Sequence, residues 1–229
     1  MRGACDHSHS VDRYTLKPTR GTIYAEQTST NYRCTPNLFY EYTELEDVSG
    51  MFDWELSGMN MLGYMFYKTK IKTFTLNRTY KKSGIMYLNR LFINCNNLTT
   101  VTMNVDTSEA GDGQTPTSDK DTFISAQTKE MFNGCTNLVS LNITGDFRNL
   151  FHAQEMFRVC NNLPAEEFKR AFSTWQWGPE HIKMQDKGTN KGDQIFSYYP
   201  KANDIKNVDL VDANNDHYTS DGTRITKTS

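Results

Sequence analysis

The chain has 229 residues, 37% of them hydrophobic, and a formal charge of −2. That length suits one domain of ordinary size with a sizeable core, and a pI near 6.2 argues against nucleic acid or an anionic membrane surface as partner. The mean hydropathy of −0.68 fits a chain with a large solvated surface, and no run approaches the roughly 18 apolar residues of a membrane span.

Residues 1–10 contain Cys5, His7 and His9 and no apolar stretch of the kind a signal peptide needs. A Cys-x-His-x-His cluster without a fourth ligand is a weak metal signal. It reads as a solvated terminus, and neither metal nor cofactor is expected. Residues 1–37 hold short β-prone pieces, Tyr14-Thr15-Leu16 and Thr22-Ile23-Tyr24-Ala25, with Pro18 and Pro36. They are expected to form an atypical N-terminal cap.

From residue 38 the chain repeats itself. Leu91-Phe92-x-x-Cys95-x-x-Leu98-x-x-Val101-x-Met103 returns as Met131-Phe132-x-x-Cys135-x-x-Leu138-x-x-Leu141-x-Ile143, and its first half returns as Met156-Phe157-x-x-Cys160-x-x-Leu163. Weaker copies begin at Leu38 and Met65. The starts lie 27, 26, 40 and 25 residues apart, so the third interval holds one period plus an insertion of about 15 residues. That insertion is the Asp/Gly/Ser/Thr-rich run 104–122, expected as a loop. Within a unit, Leu150, Ala153, Met156, Phe157 and Cys160 recur at three and four, which predicts a short helix. Leu141 and Ile143 then alternate as in a strand, and they are expected beside Val101 and Met103 on neighbouring parallel strands.

After Leu163 the pattern breaks. Pro164, Glu166 and Glu167 open a predicted helix over 165–175, with Phe168, Ala171, Phe172 and Trp175 on one face. A Lys/Gly/Asn loop follows, so that helix and loop fill 164–194. Tyr198-Tyr199-x-x-Ala202-x-x-Ile205-x-x-Val208-x-Leu210 fits the template as a last unit, which would make about six turns. Asp221-Gly222 between β-prone residues predicts a hairpin in the tail, 212–229. Asp212 to Asp216 imitates the start of a calcium loop, but His217 and Thr223 stand where Gly and Glu are required.

The Met-Phe-x-x-Cys-x-x-Leu-x-x-Leu-x-Leu unit with its 25-residue period resembles the BspA-like leucine-rich repeats, including the mycoplasma-lipoprotein type. The resemblance covers roughly 38–211. It implies an α/β repeat fold: a solenoid over 38–211 with a parallel sheet and short helices on the other face. It also implies a binding or adhesive role with no active site.

Cys95, Cys135 and Cys160 share one place in the unit, where other copies carry Tyr42, Thr69 or Ala202; a column of buried structural thiols is expected. Cys5 and Cys34 lie outside it, and the sequence is compatible with either free thiols or a bridge between them. Asn97, Asn137 and Asn162 each precede the unit's Leu, where an amide can satisfy backbone groups of a neighbouring turn. The outward strand residues are Thr73, Thr75, Thr100, Thr102, Asn104, Ser140, Asn142 and Thr144, joined by Asn207 and Asp209 if the last unit holds. Stacked, they make a flat, nearly uncharged patch, the default recognition surface of a solenoid. No phosphate loop, nucleophile elbow or His-Glu metal helix occurs.

The expected function is a non-catalytic binding or adhesion module for a protein or glycan at a cell or particle surface, with no nucleic acid partner and no membrane span. The alternative is a structural component of a larger assembly such as a phage virion, partnered by neighbouring subunits.

Overall fold

The computed structural model describes residues 39–51, 62–81, 86–110, 126–177 and 194–228. The expected cap 1–37, with Cys5 and Cys34, lies outside these residues, as do residues 111–122 of the insertion and 178–193 of the loop after the helix.

In chain order the elements are β1 (Thr73–Lys81), β2 (Met86–Tyr87), β3 (Thr100–Asp106), β4 (Ala126–Gln127), β5 (Ser140–Asp146), β6 (Leu150–His152), α1 (Ala165–Phe172), β7 (Trp175–Gln176), β8 (Asp209–Val211), β9 (His217–Ser220) and β10 (Ile225–Lys227). Most of the sheet is parallel and helices are few. One parallel sheet has the order β1-β3-β5-β7, a second has β2-β4-β6, and the C-terminal sheet β10-β9-β8 is antiparallel.

The strand register follows the sequence pattern. Val101 pairs with Leu141 and Met103 with Ile143 on the parallel strands β3 and β5, and all four are buried. The unit at Met65 is one residue short before Ile71, yet β1 is in register with β3 from Thr73; a bulge follows, where Thr75 to Thr79 opposes Thr102 to Asn104. The insertion starts later than expected. Asn104, Val105 and Asp106 belong to β3, and Thr107 and Ala110 are buried beneath Asn149, whose amide donates to Ser108 O and Ala110 O at 3.1 and 3.3 Å.

The short helices expected around each Met-Phe pair are not found among the described residues, whose one α-helix is α1. Two tight turns replace each of them. The residue before the Met/Leu has positive φ (Tyr64, Arg90, Glu130, Glu155), and so does the residue before the Cys place (Lys68, Asn94, Gly134, Val159). An α-helix cannot contain left-handed residues. The backbone explains the choice. Arg90, Phe92 and Asn94 donate their N–H groups to Lys129 O, Met131 O and Asn133 O of the next unit at 2.7–2.9 Å, while Leu91, Ile93 and Cys95 close turns onto Leu88 O, Arg90 O and Phe92 O. Alternate amides thus bond across units and within them. A helix would turn its amides inward along its own axis.

The turns stack the phenylalanines. Phe39, Phe66, Phe92, Phe132 and Phe157 lie ring over ring with centroids 5.4–5.8 Å apart, and the last three pairs are within 5–7° of parallel. All are buried. Phe168 of α1 ends the column edge-on against Phe157 at 5.6 Å.

Three further expectations are corrected. The helix stops at Phe172 rather than Trp175, because Ser173 and Thr174 bond back to Arg170 O and Ala171 O at 2.8 and 2.7 Å. Trp175 instead begins β7, its indole donating to Ile143 O at 2.8 Å. The last unit begins three residues earlier than the sequence alignment placed it. Tyr199 N–H closes onto Phe196 O as Cys160 N–H closes onto Phe157 O, so Ile195-Phe196 takes the Met-Phe place and Tyr199 the Cys place. Its strand, β8, pairs antiparallel with β9, so Asn207 and Asp209 do not extend the polar face of the parallel sheet.

Buried Asp212 fixes the C-terminal sheet. Its carboxylate accepts the N–H groups of Trp177, Asn214 and Asp216 at 3.0, 2.8 and 2.9 Å, and the Tyr218 hydroxyl donates to Trp177 O at 2.8 Å. The residue that imitates a calcium ligand is thus consumed internally.

The left-handed turns yield a prediction. Val159 is β-branched at φ 57° and 39% exposed. Val159→Gly should raise the unfolding free energy by about 1 kcal/mol, seen as a higher thermal midpoint. Gly134→Val, at the same place one unit earlier, should lower it, because a Cβ there runs into the Asn94 side chain.

Candidate recognition surface

The register carries all eight sequence-predicted surface residues onto one face of the β1-β3-β5-β7 sheet. Thr73, Thr100 and Ser140 form one row, Thr75, Thr102 and Asn142 the next, and Asn104 and Thr144 pair in a third. They alternate with the buried Phe74, Val101, Met103, Leu141 and Ile143. Thr73 and Asn104 are exposed and the other six half-buried.

Sequence reasoning missed how these rows end. β7 pairs only with Gly145 and Asp146, which leaves the first half of the β5 edge without a strand. Side chains of α1 take its place. Glu167 Oε1 accepts the Leu141 N–H at 2.7 Å and the Ser140 hydroxyl at 3.1 Å, while Arg170 Nη2 donates to Leu141 O at 3.2 Å and to Asn142 Oδ1 at 2.8 Å. The two also pair with each other, at 2.6 and 3.0 Å. Arg170 holds the Glu167 carboxyl down, to about 2, with the Leu141 amide assisting. Asn142 Nδ2 donates on to Thr102 Oγ1 at 3.3 Å, so one row runs Thr102, Asn142, Arg170 as a hydrogen-bonded line. The signal available in the sequence was Glu167-x-x-Arg170, an i,i+3 pair on the helix side away from Phe168 and Phe172.

The cysteines occupy the expected column. Cys95, Cys135 and Cys160 are buried free thiols that donate to the preceding unit's Phe66 O, Phe92 O and Phe132 O at 2.8, 3.0 and 3.2 Å. Burial pushes the Cys95 thiol up to about 12 and raises the other two as well, so none is a thiolate at neutral pH. Thr69 and Tyr199 fill the same place at either end, donating to Phe66 O and Leu163 O at 3.0 and 2.8 Å. The asparagines make a rim ladder: Asn137 donates to Asn96 O at 2.8 Å and Asn162 to Asn137 Oδ1 at 3.1 Å.

A second surface went unread in the sequence. Tyr40 and Tyr67 directly follow Phe39 and Phe66, and because those phenylalanines point inward the tyrosines point out. Their ring centroids are 4.5 Å apart, and Tyr64 lies 6.3 Å from each. Lys68 sits over the Tyr67 ring at 4.8 Å and Arg90 over the Tyr64 ring at 5.4 Å. Arg90 forms a two-point ion pair with Glu130, at 3.0 and 2.7 Å, and Nη1 also donates to the Tyr64 hydroxyl. The cue was tyrosine recurring immediately after the column phenylalanine.

Among the described residues no group of His, Cys, Asp or Glu is placed to hold a metal ion, and no helix is long and apolar enough to cross a membrane. Comparison with protein-family models, curated proteins and solved structures finds no match to this chain.

Two measurements probe this chemistry. Glu167 has its pKa below the ordinary 4.5, so its charge stabilises the fold fully above that value and the contribution is lost as pH falls from about 4.5 towards 2. Glu167→Gln should therefore be less stable than wild type at pH 6, and the gap should narrow at pH 2.5 in urea titrations. Cys135→Ala should cost only about 1 kcal/mol, since Phe92 O keeps the Cys95 N–H. A thiol reagent should label native Cys135 slowly and the denatured chain quickly.

Proposed function

We propose that the chain is a non-catalytic recognition module of the leucine-rich-repeat kind, its units stacked as a solenoid of about six turns, and that it binds a protein or glycan partner at a cell or particle surface. Six phenylalanines, Phe39, Phe66, Phe92, Phe132, Phe157 and Phe196, accept the same turn-closing amide three residues on, which supports six stacked units. The observation that carries the function is the registered polar face. Its hydroxyls and amides stand in straight rows on a rigid parallel sheet, a geometry suited to a partner of complementary, repeating hydrogen-bonding groups. The reading of the thiols as inert packing supports a non-catalytic role: buried, protonated and hydrogen-bonded to carbonyls, they offer no nucleophile.

The test is a binding screen of the purified chain against arrayed extracellular proteins and glycans, with two variants of equal charge. Thr102→Arg fills the centre of the face. Thr136→Arg adds the same cation on a turn away from it. The expected result is at least a tenfold loss of affinity for Thr102→Arg, roughly 1.4 kcal/mol, with Thr136→Arg close to wild type. Undiminished binding by a folded Thr102→Arg protein would remove the face from the site.

A further inference from the structure

We infer that the tyrosine cluster Tyr40, Tyr64 and Tyr67 is a second binding surface, and that its ligand is a neutral glycan chain. The inference rests on the reading of the chain as a recognition module but places this contact on the turns instead of on the sheet face.

Three features define the ligand. The first is aromatic area. Three rings from two successive units lie 4.5–6.3 Å apart; Tyr40 is 38% exposed, and Tyr64 and Tyr67 are half-buried. Tyrosine combines an apolar ring face with a polar tip, which matches a pyranose ring, apolar on its C–H face and hydroxylated at its rim. The second is charge. Among the described residues the cations beside the rings are engaged: Lys68 with Glu41 at 3.2 Å, and Arg90 and Lys129 sharing Glu130 at 2.7 and 3.6 Å. Among the described residues no carboxylate there is left unpaired for a cationic partner, and an anionic one would have to compete with Glu41 and Glu130 for the cations. A neutral polyol needs neither, and can share the outer lone pairs and N–H groups of those pairs. The third is order. Arg90 is held by Glu130 and Tyr64, and Glu130 also accepts from Asn133 at 3.1 Å. The polar groups at the edge of the rings are therefore fixed before any ligand arrives, which reduces the entropy lost on binding.

The experiment is affinity electrophoresis of the full chain through gels containing soluble β-glucan, galactomannan or mannan, with alginate as the anionic comparison. The proteins are wild type, Tyr40→Ala/Tyr67→Ala, Tyr40→Ala, Tyr67→Phe and Thr102→Arg. Wild type should be retarded by at least one neutral polysaccharide and not by alginate. The double alanine variant should bind about tenfold more weakly, from the loss of two aromatic contacts, and Tyr67→Phe, which keeps the ring, should stay within about threefold. Thermal midpoints near wild type confirm that the variants are folded, and Tyr40→Ala alone, which removes the exposed ring and should also weaken binding, carries the comparison if the double variant is not. Retardation by alginate alone, or by no polysaccharide, overturns the inference. Loss of retardation in Thr102→Arg but not in the tyrosine variant also overturns it, while leaving the sheet-face reading standing.

Discussion

The structure depends on the phenylalanine column. Phe39, Phe66, Phe92, Phe132 and Phe157 are separated in sequence by 27, 26, 40 and 25 residues, yet in space each ring follows the last by 5.4–5.8 Å. Parallel stacking at that spacing fixes the rise from one unit to the next, and with it the strand register and the distance across which turn amides and cysteine thiols must reach. It also explains where length is free to vary. The 40-residue interval opens after β3, beyond the last inward strand residue, so the extra chain leaves the column undisturbed. An aromatic pair of this kind is worth about 0.5–1.5 kcal/mol beyond the area it buries. Four in series set a geometry that the aliphatic positions then fill.

The turns around the column show what a hydrophobic pattern can and cannot say. Apolar residues at intervals of three and four describe a helix, but they equally describe two successive tight turns with Met and Phe facing inward. The distinguishing feature is the sign of φ at Arg90 and Asn94, at Glu130 and Gly134, and at Glu155 and Val159. Gly134 and, more weakly, Asn94 advertise it. The others adopt the left-handed conformation because each then aims its N–H at a carbonyl of the next unit. The local cost, roughly 1–2 kcal/mol per residue, is offset by backbone hydrogen bonds that a helix could not offer its neighbour. This is a tertiary override, which the apolar pattern within one unit does not reveal.

Other features were legible because they depend on alternation alone. The pairing of Val101 with Leu141 and Met103 with Ile143, the inward thiols and the outward rows of Thr, Ser and Asn all follow once one strand is aligned with the next. The final unit was misplaced by three residues because Tyr198 and Tyr199 look like the aromatic pair of the motif. The burial of Ile195 and Phe196, with Tyr198 at 70% exposure, settles the alignment. The helix end and the Glu167–Arg170 contacts were hidden for another reason. They answer a gap at the β5 edge that exists only after β7 has turned in to pair with its last two residues.

These constraints divide the surface. Phe39, Phe66, Phe92, Phe132, Phe157 and Phe196 are all buried, whereas the Cys place varies from Cys to Thr69, Tyr199 and the exposed Tyr42, so the strictest constraint falls on the inward Phe and variation is freest where residues face out. On the sheet side those residues are short and polar, held in rows by a register the core has already set. On the turn side they are long: Tyr40, Tyr64 and Tyr67 at one end, then Arg90, Glu130, Glu155 and Arg158 in paired charges. Strand neighbours across a parallel sheet stand about 4.8 Å apart, close enough that short side chains bond to one another, as Asn142 does to Thr102. On the turns the backbone itself bonds from one unit to the next, Arg90 N–H to Lys129 O at 2.9 Å, and the outer side chains pair as ions, Arg90 with Glu130 across units and Arg158 with Glu155 within one. A flat hydroxyl-and-amide face and an aromatic, charge-paired rim are thus two consequences of one stacking geometry, and each presents a different chemistry to whatever the chain meets.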